Sequence, residues 1–312
     1  MNASSKIYIA GHNGLVGSAI FRRLRSGGYT NIITRTSGEL DLTRQAEVEK
    51  FFREEQPEYV FLAAAKVGGI LANSTFKAEF IYRNLMIASN VIHAAYLCKT
   101  KKLLNLGSSC IYPKFAPQPM KEEYLLSGLL EPTNEPYAVA KIAAIKLCRY
   151  YNEQYGTNFI SVMPTNLYGP KDNFDLSSSH VLPAMIRKFH EAKRASADSV
   201  ELWGTGSPFR EFLYVEDLGD ASVFLMEKFH YSEIGELINI GTGDDITIRD
   251  LAMMIRNLVG FSGEIKWDST KPDGTPKKLL DVSRIKSLGW EPATSLAEGL
   301  RETYEWYLKS SE

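Results

Sequence analysis

The sequence has few cysteines, no excess of either charge and no long apolar run. Its three cysteines, Cys98, Cys110 and Cys148, are too few for a disulfide framework, which favours a reducing compartment. Lys and Arg total 36 against 37 Asp and Glu, whereas proteins that bind nucleic acid normally carry a basic excess. The longest apolar stretches, such as residues 60–65, are far too short to span a bilayer. We therefore expect a soluble protein with neither nucleic acid nor membrane as a partner.

The composition is that of an ordinary globular protein. Hydrophobic residues make up 44% of the 312 positions and charged residues 23%, which excludes a disordered or fibrous chain. This length suits about two domains. Residues 1–6 lead directly into a strand without the apolar core of a signal peptide, so we expect a cytoplasmic location.

The first half of the chain alternates strands with helices. The strand runs are continuously apolar rather than alternating, as expected for parallel strands that are covered on both faces. Repeated strand–helix units predict an α/β fold with a Rossmann-type, doubly wound parallel sheet. The predicted strands are residues 6–10, 31–34, 58–63, 102–106 and 159–163, and the main helices are 15–24, 76–98 and 137–155.

The pattern becomes irregular after Pro164. We predict a loop over 168–179, a helix over 182–193, a strand and helix within 212–229, strands at 237–241 and 265–267, and a turn at 271–274. This predicts a smaller, irregular α/β domain whose segments interleave with the first. The expected division assigns residues 1–170 and 212–242 to a nucleotide-binding domain, and 171–211 and 243–312 to the second domain.

Three glycines follow the first predicted strand. Gly11, Gly14 and Gly17 open the next helix, where glycine permits a tight turn and close approach of the backbone to a pyrophosphate. The helix N-terminus adds free N–H groups and a favourable dipole. A plain βα turn is the alternative, and the spacing differs from the commoner G-x-G-x-x-G pattern. The position directly after the first strand favours a dinucleotide cofactor.

The end of the second predicted strand favours NADP(H). An acidic residue here would bind the ribose 2′-hydroxyl of NAD, but no carboxylate occurs before Glu39. Arg35, with hydroxyl residues on both sides, suits a 2′-phosphate better, although it is also consistent with a solvated surface arginine. Asp41 either faces the adenine or caps the helix that begins near Thr43.

Tyr137 and Lys141 lie one helical turn apart on the same face. A nearby ammonium would lower the pKa of the phenol, which is otherwise near 10. Such a pair arises easily by chance, and a surface pair is the alternative. Its position is informative, since the helix follows a strand that ends at Ser108, at the carboxyl edge of the sheet where such folds bind ligands. Ser108 can there hydrogen-bond a substrate oxygen beside Tyr137.

The glycine loop, Ser108 and the Tyr137/Lys141 pair together resemble the extended short-chain dehydrogenase/reductase family, which acts largely on nucleotide sugars. Within it, the strings at residues 63–70, 107–114, 131–137 and 164–170 are similar to the GDP-L-fucose synthase family. This resemblance covers the whole chain. It implies NADP(H) as cofactor, GDP-4-keto-6-deoxy-D-mannose as substrate, and 3,5-epimerisation followed by 4-reduction. It also implies a homodimer packed through helices 76–98 and 137–155.

Epimerisation at C3 and C5 needs one group to remove a proton and another to return it on the opposite face. Cys110 comes two residues after Ser108, so on an extended segment both side chains would point the same way. The resemblance implies that Cys110 is the base and that His180 is the acid. A buried packing thiol and a histidine at a helix start are the alternatives. Cys98 and Cys148 lie in apolar helices and are expected only to pack.

The resemblance also implies the binding residues, and no metal ligands are among them. The cofactor positions are Gly11, His12, Asn13, Gly14, Leu15, Val16, Gly17, Arg35, Ser37, Asp41, Leu42, Leu106, Gly107, Lys141, Pro164, Asn166, Leu167 and His180. The substrate positions are Lys188, Trp203, Arg210 and Asp273. The family often carries arginines where this chain has Asn13 and Ser37. Their absence leaves Arg35 as the main candidate for binding a 2′-phosphate.

Three other functions compete with this interpretation. A 4,6-dehydratase of this fold would carry an Asp-Glu pair where the chain has Ser109 and Cys110. A simple 4-epimerase does not need the Cys110/His180 pair. A non-catalytic NADP-sensing regulator typically loses the Tyr/Lys pair, which this chain keeps.

Overall fold

The computed structural model describes residues 1–271 and 273–311. Its strands are β1 (Ile7–Ala10), β2 (Ile32–Arg35), β3 (Tyr59–Leu62), β4 (Lys102–Leu106), β5 (Phe159–Pro164), β6 (Asn166–Tyr168), β7 (Ser199–Trp203), β8 (Phe209–Tyr214), β9 (Ile238–Ile240), β10 (Asp245–Thr247), β11 (Glu264–Asp268) and β12 (Lys277–Lys278). Its helices are α1 (Leu15–Ser26), α2 (Gln45–Glu55), α3 (Ile70–Thr75), α4 (Lys77–Leu97), α5 (Glu135–Tyr155), α6 (Val181–Arg194), α7 (Val215–Lys228), α8 (Tyr231–Ile234), α9 (Ile248–Val259), α10 (Ser283–Ser287) and α11 (Leu296–Ser311).

A parallel sheet forms the centre of the fold, in the order β2-β1-β3-β4-β5-β9. The predicted doubly wound α/β architecture is confirmed. Because the chain leaves β1 toward β2 on one side and returns to β3 on the other, the order reverses at β1. Ligands of open α/β sheets bind outside the carboxyl ends of the strands at this switch point.

Helices cover both faces of this sheet. Ile9 of β1 packs with Leu24 of α1 and Leu218 of α7 on one face. Tyr8 points to the opposite face and packs with residues of α2 and α4, including Phe52. The alternation of neighbouring residues between two hydrophobic cores explains why the strands are apolar throughout.

The remaining strands build smaller sheets. β8 pairs with β10, β12 and β6, and β11 pairs with β7. A third core beneath them includes Phe189, Leu251 and Ile255. Strands β6, β7, β10 and β12 were not predicted from the sequence, and β6 ends at the first residue of the predicted loop. Three of them, β6, β10 and β12, have only two or three residues, too few to give a hydrophobic pattern. The predicted turn at 271–274 includes Pro272, which lies outside the described residues.

Candidate active site

The glycine loop joins β1 to α1 and leaves the start of the helix open. Gly11 has a φ of +88°, and a Cβ there would lie 2.7 Å from the backbone nitrogen of Ala64, so only glycine fits without strain. Gly14 caps α1 without any side-chain hydrogen bond, which leaves N–H groups of the first turn for a ligand. The buried Nδ1 of His12 also has no hydrogen-bond partner among the described residues. These features fit the pyrophosphate of a dinucleotide.

Arg35, at the end of β2, is already engaged. Its guanidinium donates to Glu55 at 2.7 Å and to the carbonyl of Thr34 at 2.8 Å, and it lies over the ring of Phe51. Glu39 folds back onto the same strand end, where it accepts hydrogen bonds from the backbone and hydroxyl of Thr36. The cation predicted to face a 2′-phosphate therefore has a competing carboxylate partner.

The other residues predicted near the adenosine lie in the loops that follow β1 and β2. Asn13 and Ser37 are exposed. Asp41 accepts hydrogen bonds from the backbone and hydroxyl of Thr43, in the turn before α2. The N-cap residue of α2 is Arg44, so the alternative that Asp41 caps this helix is wrong. The carbonyl of Leu42 accepts from Asn90 at 2.9 Å.

The remaining cofactor positions follow β4 and β5. Leu106 ends β4, Gly107 comes next, and Pro164 ends β5. A Cβ on Gly107 would overlap the end of the Met163 side chain, so a larger residue here would require Met163 to move. Asn166 and Leu167 belong to β6, which runs beside β8. All of these positions lie at the carboxyl edge of the sheet or just beyond it.

Tyr137 and Lys141 are in the first turns of α5. The ammonium of Lys141 donates to the carbonyl of Leu106 at 2.6 Å and lies 5.7 Å from the centre of the Tyr137 ring. Burial lowers the pKa of Lys141 to about 8. Burial also raises the pKa of Tyr137, the nearby Cys110 raises it further, and Ser108 opposes this by hydrogen bonding. The expectation that Lys141 sets a low pKa for the phenol is therefore wrong, because burial dominates.

Cys110 lies beside these residues, but not on an extended segment. Residues 109–111 form a 3-10 turn, and the hydroxyl of Ser108 accepts from the backbone N–H of Cys110 at 3.4 Å. The predicted extended geometry is therefore wrong, although both side chains face the same cluster. Burial raises the pKa of the Cys110 thiol, whereas Lys278, Ser108 and Lys141 lower it.

His180 is the N-cap residue of α6 and is accessible to solvent. Desolvation by the surrounding protein lowers the pKa of its imidazole, and the positive charge of Lys278 lowers it further. The loop before His180 is held by the backbone N–H of Gly69, which donates to the carbonyl of Ser178 at 3.0 Å.

The four predicted substrate residues are connected through β7 and β8. Lys188 donates to the carbonyl of Glu201 in β7 at 2.9 Å, and the exposed Trp203 ends that strand. Asp273 accepts from the backbone N–H of Thr205 at 2.7 Å, and its own carbonyl accepts from Arg210 at 3.4 Å. Cations, an exposed aromatic ring and a carboxylate thus lie on or next to β7 and β8, a donor and acceptor set suited to a phosphorylated sugar.

Sequence reasoning missed Lys278. It lies on the two-residue strand β12, in register with Arg210 of β8, and it lines a cavity together with Cys110, Glu131 and Asn134. A strand this short gives no periodic signal.

Within residues 1–271 and 273–311, no three His, Cys, Asp or Glu side chains are grouped as metal ligands, and no helix has the length and apolar content to cross a membrane.

Comparison with known proteins gives a consistent result. Residues 7–241 match the NAD dependent epimerase/dehydratase family. The chain is 61% identical to GDP-L-fucose synthase 1 of Arabidopsis thaliana over 98% of this chain and 94% of the relative. It is 54% identical to the GDP-L-fucose synthase of Escherichia coli over 99% and 98% of the two chains. It is also similar to a solved structure of a GDP-mannoheptose C4 reductase from Campylobacter jejuni with NADP bound, with 44% identity, a TM-score of 0.92 and coverage of 99% of each chain.

Proposed function

The chain belongs to the NAD dependent epimerase/dehydratase family, and we propose that it acts as a GDP-L-fucose synthase. In this reaction, GDP-4-keto-6-deoxy-D-mannose is epimerised at C3 and C5 and then reduced at C4 with NADPH. Relatives with this activity by name are 54% to 61% identical over nearly the whole chain.

The presence of Cys110 in the same cluster as Ser108, Tyr137 and Lys141 is the observation that carries the proposal. Electrostatic and hydrogen-bonding interactions connect its thiol to all three. Reduction of a ketone needs a proton donor and a hydride, but it has no use for a thiol beside the donor. A thiol on one side and an imidazole at the mouth of the cleft supply the second acid–base pair that epimerisation requires.

The epimerisation is the first step. Protons at C3 and C5 are acidic only while C4 is a ketone, so both centres must invert before reduction. At C3 and at C5 in turn, the Cys110 thiolate removes the proton and His180 returns one to the opposite face. Proton exchange with solvent restores the thiolate and the protonated imidazole between the two inversions. Ser108 and Tyr137 donate hydrogen bonds to the C4 oxygen and stabilise the enolate formed between the two transfers.

The reduction uses the same oxygen-binding residues. NADPH, when bound, supplies the hydride for C4. The raised pKa of Tyr137 keeps its phenol protonated near neutral pH, as a proton donor to the C4 oxygen must be. Lys141 would hold the nicotinamide ribose, and the N-terminus of α1 would hold the pyrophosphate.

We assign binding of the GDP-sugar to the second domain that the sequence predicts. Residues 171–211 and 243–312 carry Lys188, Trp203, Arg210 and Asp273. Residues 1–170 and 212–242 carry the cofactor residues except His180. Lys188 and Arg210 neutralise the diphosphate, Trp203 forms a wall against the sugar, and Asp273 accepts hydrogen bonds from hydroxyls.

A GDP-bound 4-ketoheptose is the second candidate substrate. Its support is the similarity to the Campylobacter jejuni GDP-mannoheptose C4 reductase, which matches 99% of this chain at a TM-score of 0.92. The two candidates differ at C6, where a heptose carries an additional carbon.

We further propose a cytoplasmic homodimer. Tyr82 of α4 and Tyr150 of α5 are more than half exposed on helices that pack against each other, so a second copy can cover this face. The free cysteines Cys98, Cys110 and Cys148 support a reducing compartment.

Product analysis tests the proposed function. The protein is incubated with NADPH and GDP-4-keto-6-deoxy-D-mannose, and the product is identified by NMR. We expect GDP-L-fucose, with deuterium at C3 and C5 when the reaction runs in D2O. A product reduced at C4 without inversion would show a plain 4-reductase, and turnover only with a GDP-4-ketoheptose would favour the second candidate.

A further inference from the structure

A buried thiol is a poor base unless nearby charge stabilises its ionised form. The side chain of Cys110 is only 6% exposed, and burial disfavours the thiolate. The proposed epimerisation nevertheless needs that thiolate near neutral pH. The structure must therefore provide positive charge close to the sulfur.

Two ammonium groups face Cys110 from different elements, Lys141 from α5 and Lys278 from β12. The ammonium of Lys141 is held by another partner, because it donates a hydrogen bond to the carbonyl of Leu106 at 2.6 Å. Lys278 lines the same cavity as Cys110, and within the described residues no carboxylate lies at ion-pair distance from its ammonium. The nearby Glu131 is paired with Lys114 at 2.8 Å.

The backbone around Lys278 is held firmly. The N–H of Leu279 donates to the side-chain oxygen of Gln118 at 2.8 Å, and the N–H of Leu280 donates to the carboxylate of Glu211 at 2.9 Å. Glu211 is fully buried and also accepts from the backbone N–H of Thr242 at 2.7 Å. These contacts fix the strand so that Lys278 lies beside Arg210 and extends into the cavity.

We infer that Lys278 is a positioning residue for the epimerisation, whose ammonium stabilises the thiolate of Cys110. This inference rests on the proposed function. The remaining ionisable groups that interact with this pair are Tyr137 of α5, Arg210 of β8, Glu131 before α5, and His180 before α6. Tyr137 is neutral near pH 7. Burial and the charge of Arg210 lower the pKa of Lys278, whereas Cys110 and Glu131 raise it. The charge of Lys278 favours the thiolate of Cys110 but disfavours the protonated imidazole of His180, so the inference concerns proton removal by Cys110 alone.

The pH dependence of Cys110 alkylation tests this inference in the free protein. Iodoacetamide modification is followed by mass spectrometry on the peptide that contains Cys110, so that Cys98 and Cys148 do not interfere. We expect Lys278→Met to raise the midpoint pH of Cys110 alkylation by about one unit. Below that midpoint, the variant should contain about tenfold less thiolate than the wild type. Lys278→Arg keeps the charge and should keep the midpoint. Lys278→Gln replaces Lys278→Met if the latter does not fold.

Lys277→Met is the matched control. The neighbouring Lys277 also lines the cavity, but its ammonium is paired with Asp245 at 2.9 Å and lies over the ring of Phe209. Its loss should therefore change the midpoint much less than the loss of Lys278. An unchanged midpoint in Lys278→Met would overturn the inference. An unchanged midpoint with a raised KM would show instead that Lys278 only binds the substrate.

Solvent exchange separates this inference from the proposed function. Wild-type protein should exchange the C3 and C5 hydrogens of the substrate in D2O without NADPH. Lys278→Met should do so more slowly near neutral pH and recover as the pH rises. Absence of exchange in the wild type would refute the proposed function. Exchange in the wild type with the same pH profile in Lys278→Met would refute only the role of Lys278.

Discussion

The ammonium of Lys141 donates a hydrogen bond of 2.6 Å to the carbonyl oxygen of Leu106, the last residue of β4. This bond joins the helix that carries Tyr137 to the strand end that precedes Ser108. The two residues proposed to contact the C4 oxygen are thereby held in one arrangement, although 29 positions separate them in the sequence. Lys141 therefore has a structural role in addition to its proposed contact with the nicotinamide ribose.

Tyr137→Phe should abolish reduction while leaving binding nearly intact. It removes the proton donor to the C4 oxygen, and positioned donors of this kind contribute about 10²–10⁴-fold to rate. The ring contact with Phe80 and the burial are retained, so the fold should be unchanged. NADPH oxidation is measured by absorbance, and substrate binding by calorimetry. Turnover equal to that of the wild type would remove Tyr137 from the mechanism.

Cys110→Ser should stop exchange of the C3 and C5 hydrogens with D2O, because a serine hydroxyl is far too weak an acid to supply the base. His180→Asn should slow the same exchange by removing the proton donor. The assay withholds NADPH and detects deuterium in the substrate by NMR. Cys148→Ser is the control for Cys110, since Cys148 is buried against the sheet away from the cluster. Normal exchange in both Cys110→Ser and His180→Asn would return these residues to packing roles.

Arg35→Ala should weaken binding of NADPH about tenfold, equivalent to about 1.4 kcal/mol, and that of NADH much less. The guanidinium is the cation at the end of β2 that can approach a 2′-phosphate. Glu55→Gln is the informative partner variant, because it removes the carboxylate that holds Arg35 at 2.7 Å. It should strengthen NADPH binding. Dissociation constants are measured by fluorescence, and equal wild-type affinity for the two cofactors would contradict this role of Arg35.

Asp172→Asn should stabilise the protein at alkaline pH but not at acid pH. Burial raises the pKa of Asp172 from 3.8 to about 7, so the folded state binds this proton more tightly than the unfolded state. Stability is therefore lost as the pH rises from about 4 to 7. Asn removes this penalty, and partial solvent screening limits the gain to about 2 kcal/mol.

Urea unfolding of wild type and variant on both sides of that pH window measures the difference. Asp175→Asn in the same loop provides a control of opposite sign. Hydrogen bonds from Ser177 and Ser178 lower the pKa of Asp175, so its loss should destabilise the protein once the carboxylate is ionised. A constant difference between Asp172→Asn and wild type across the window would show that Asp172 ionises normally.

Sequence alone determined the features that depend on local spacing. Gly11, Gly14 and Gly17 after an apolar strand predict a helix N-terminus open to phosphate, and the structure has that geometry. Tyr137 and Lys141 lie four positions apart, so any helix presents them on one face. Continuous apolar runs predict buried parallel strands because both faces must be covered.

Tertiary structure decided the charges around these residues. Lys278 is 168 positions from Cys110, and only the pairing of β12 with β8 brings it to the same cavity. The ion pair between Arg35 and Glu55 likewise depends on how α2 packs beside β2. The pKa of Tyr137 is raised because the surrounding chain excludes water from it. Spacing in the sequence fixes which residues share a face, but burial and long-range pairing set their ionisation, since both depend on neighbours that are distant along the chain.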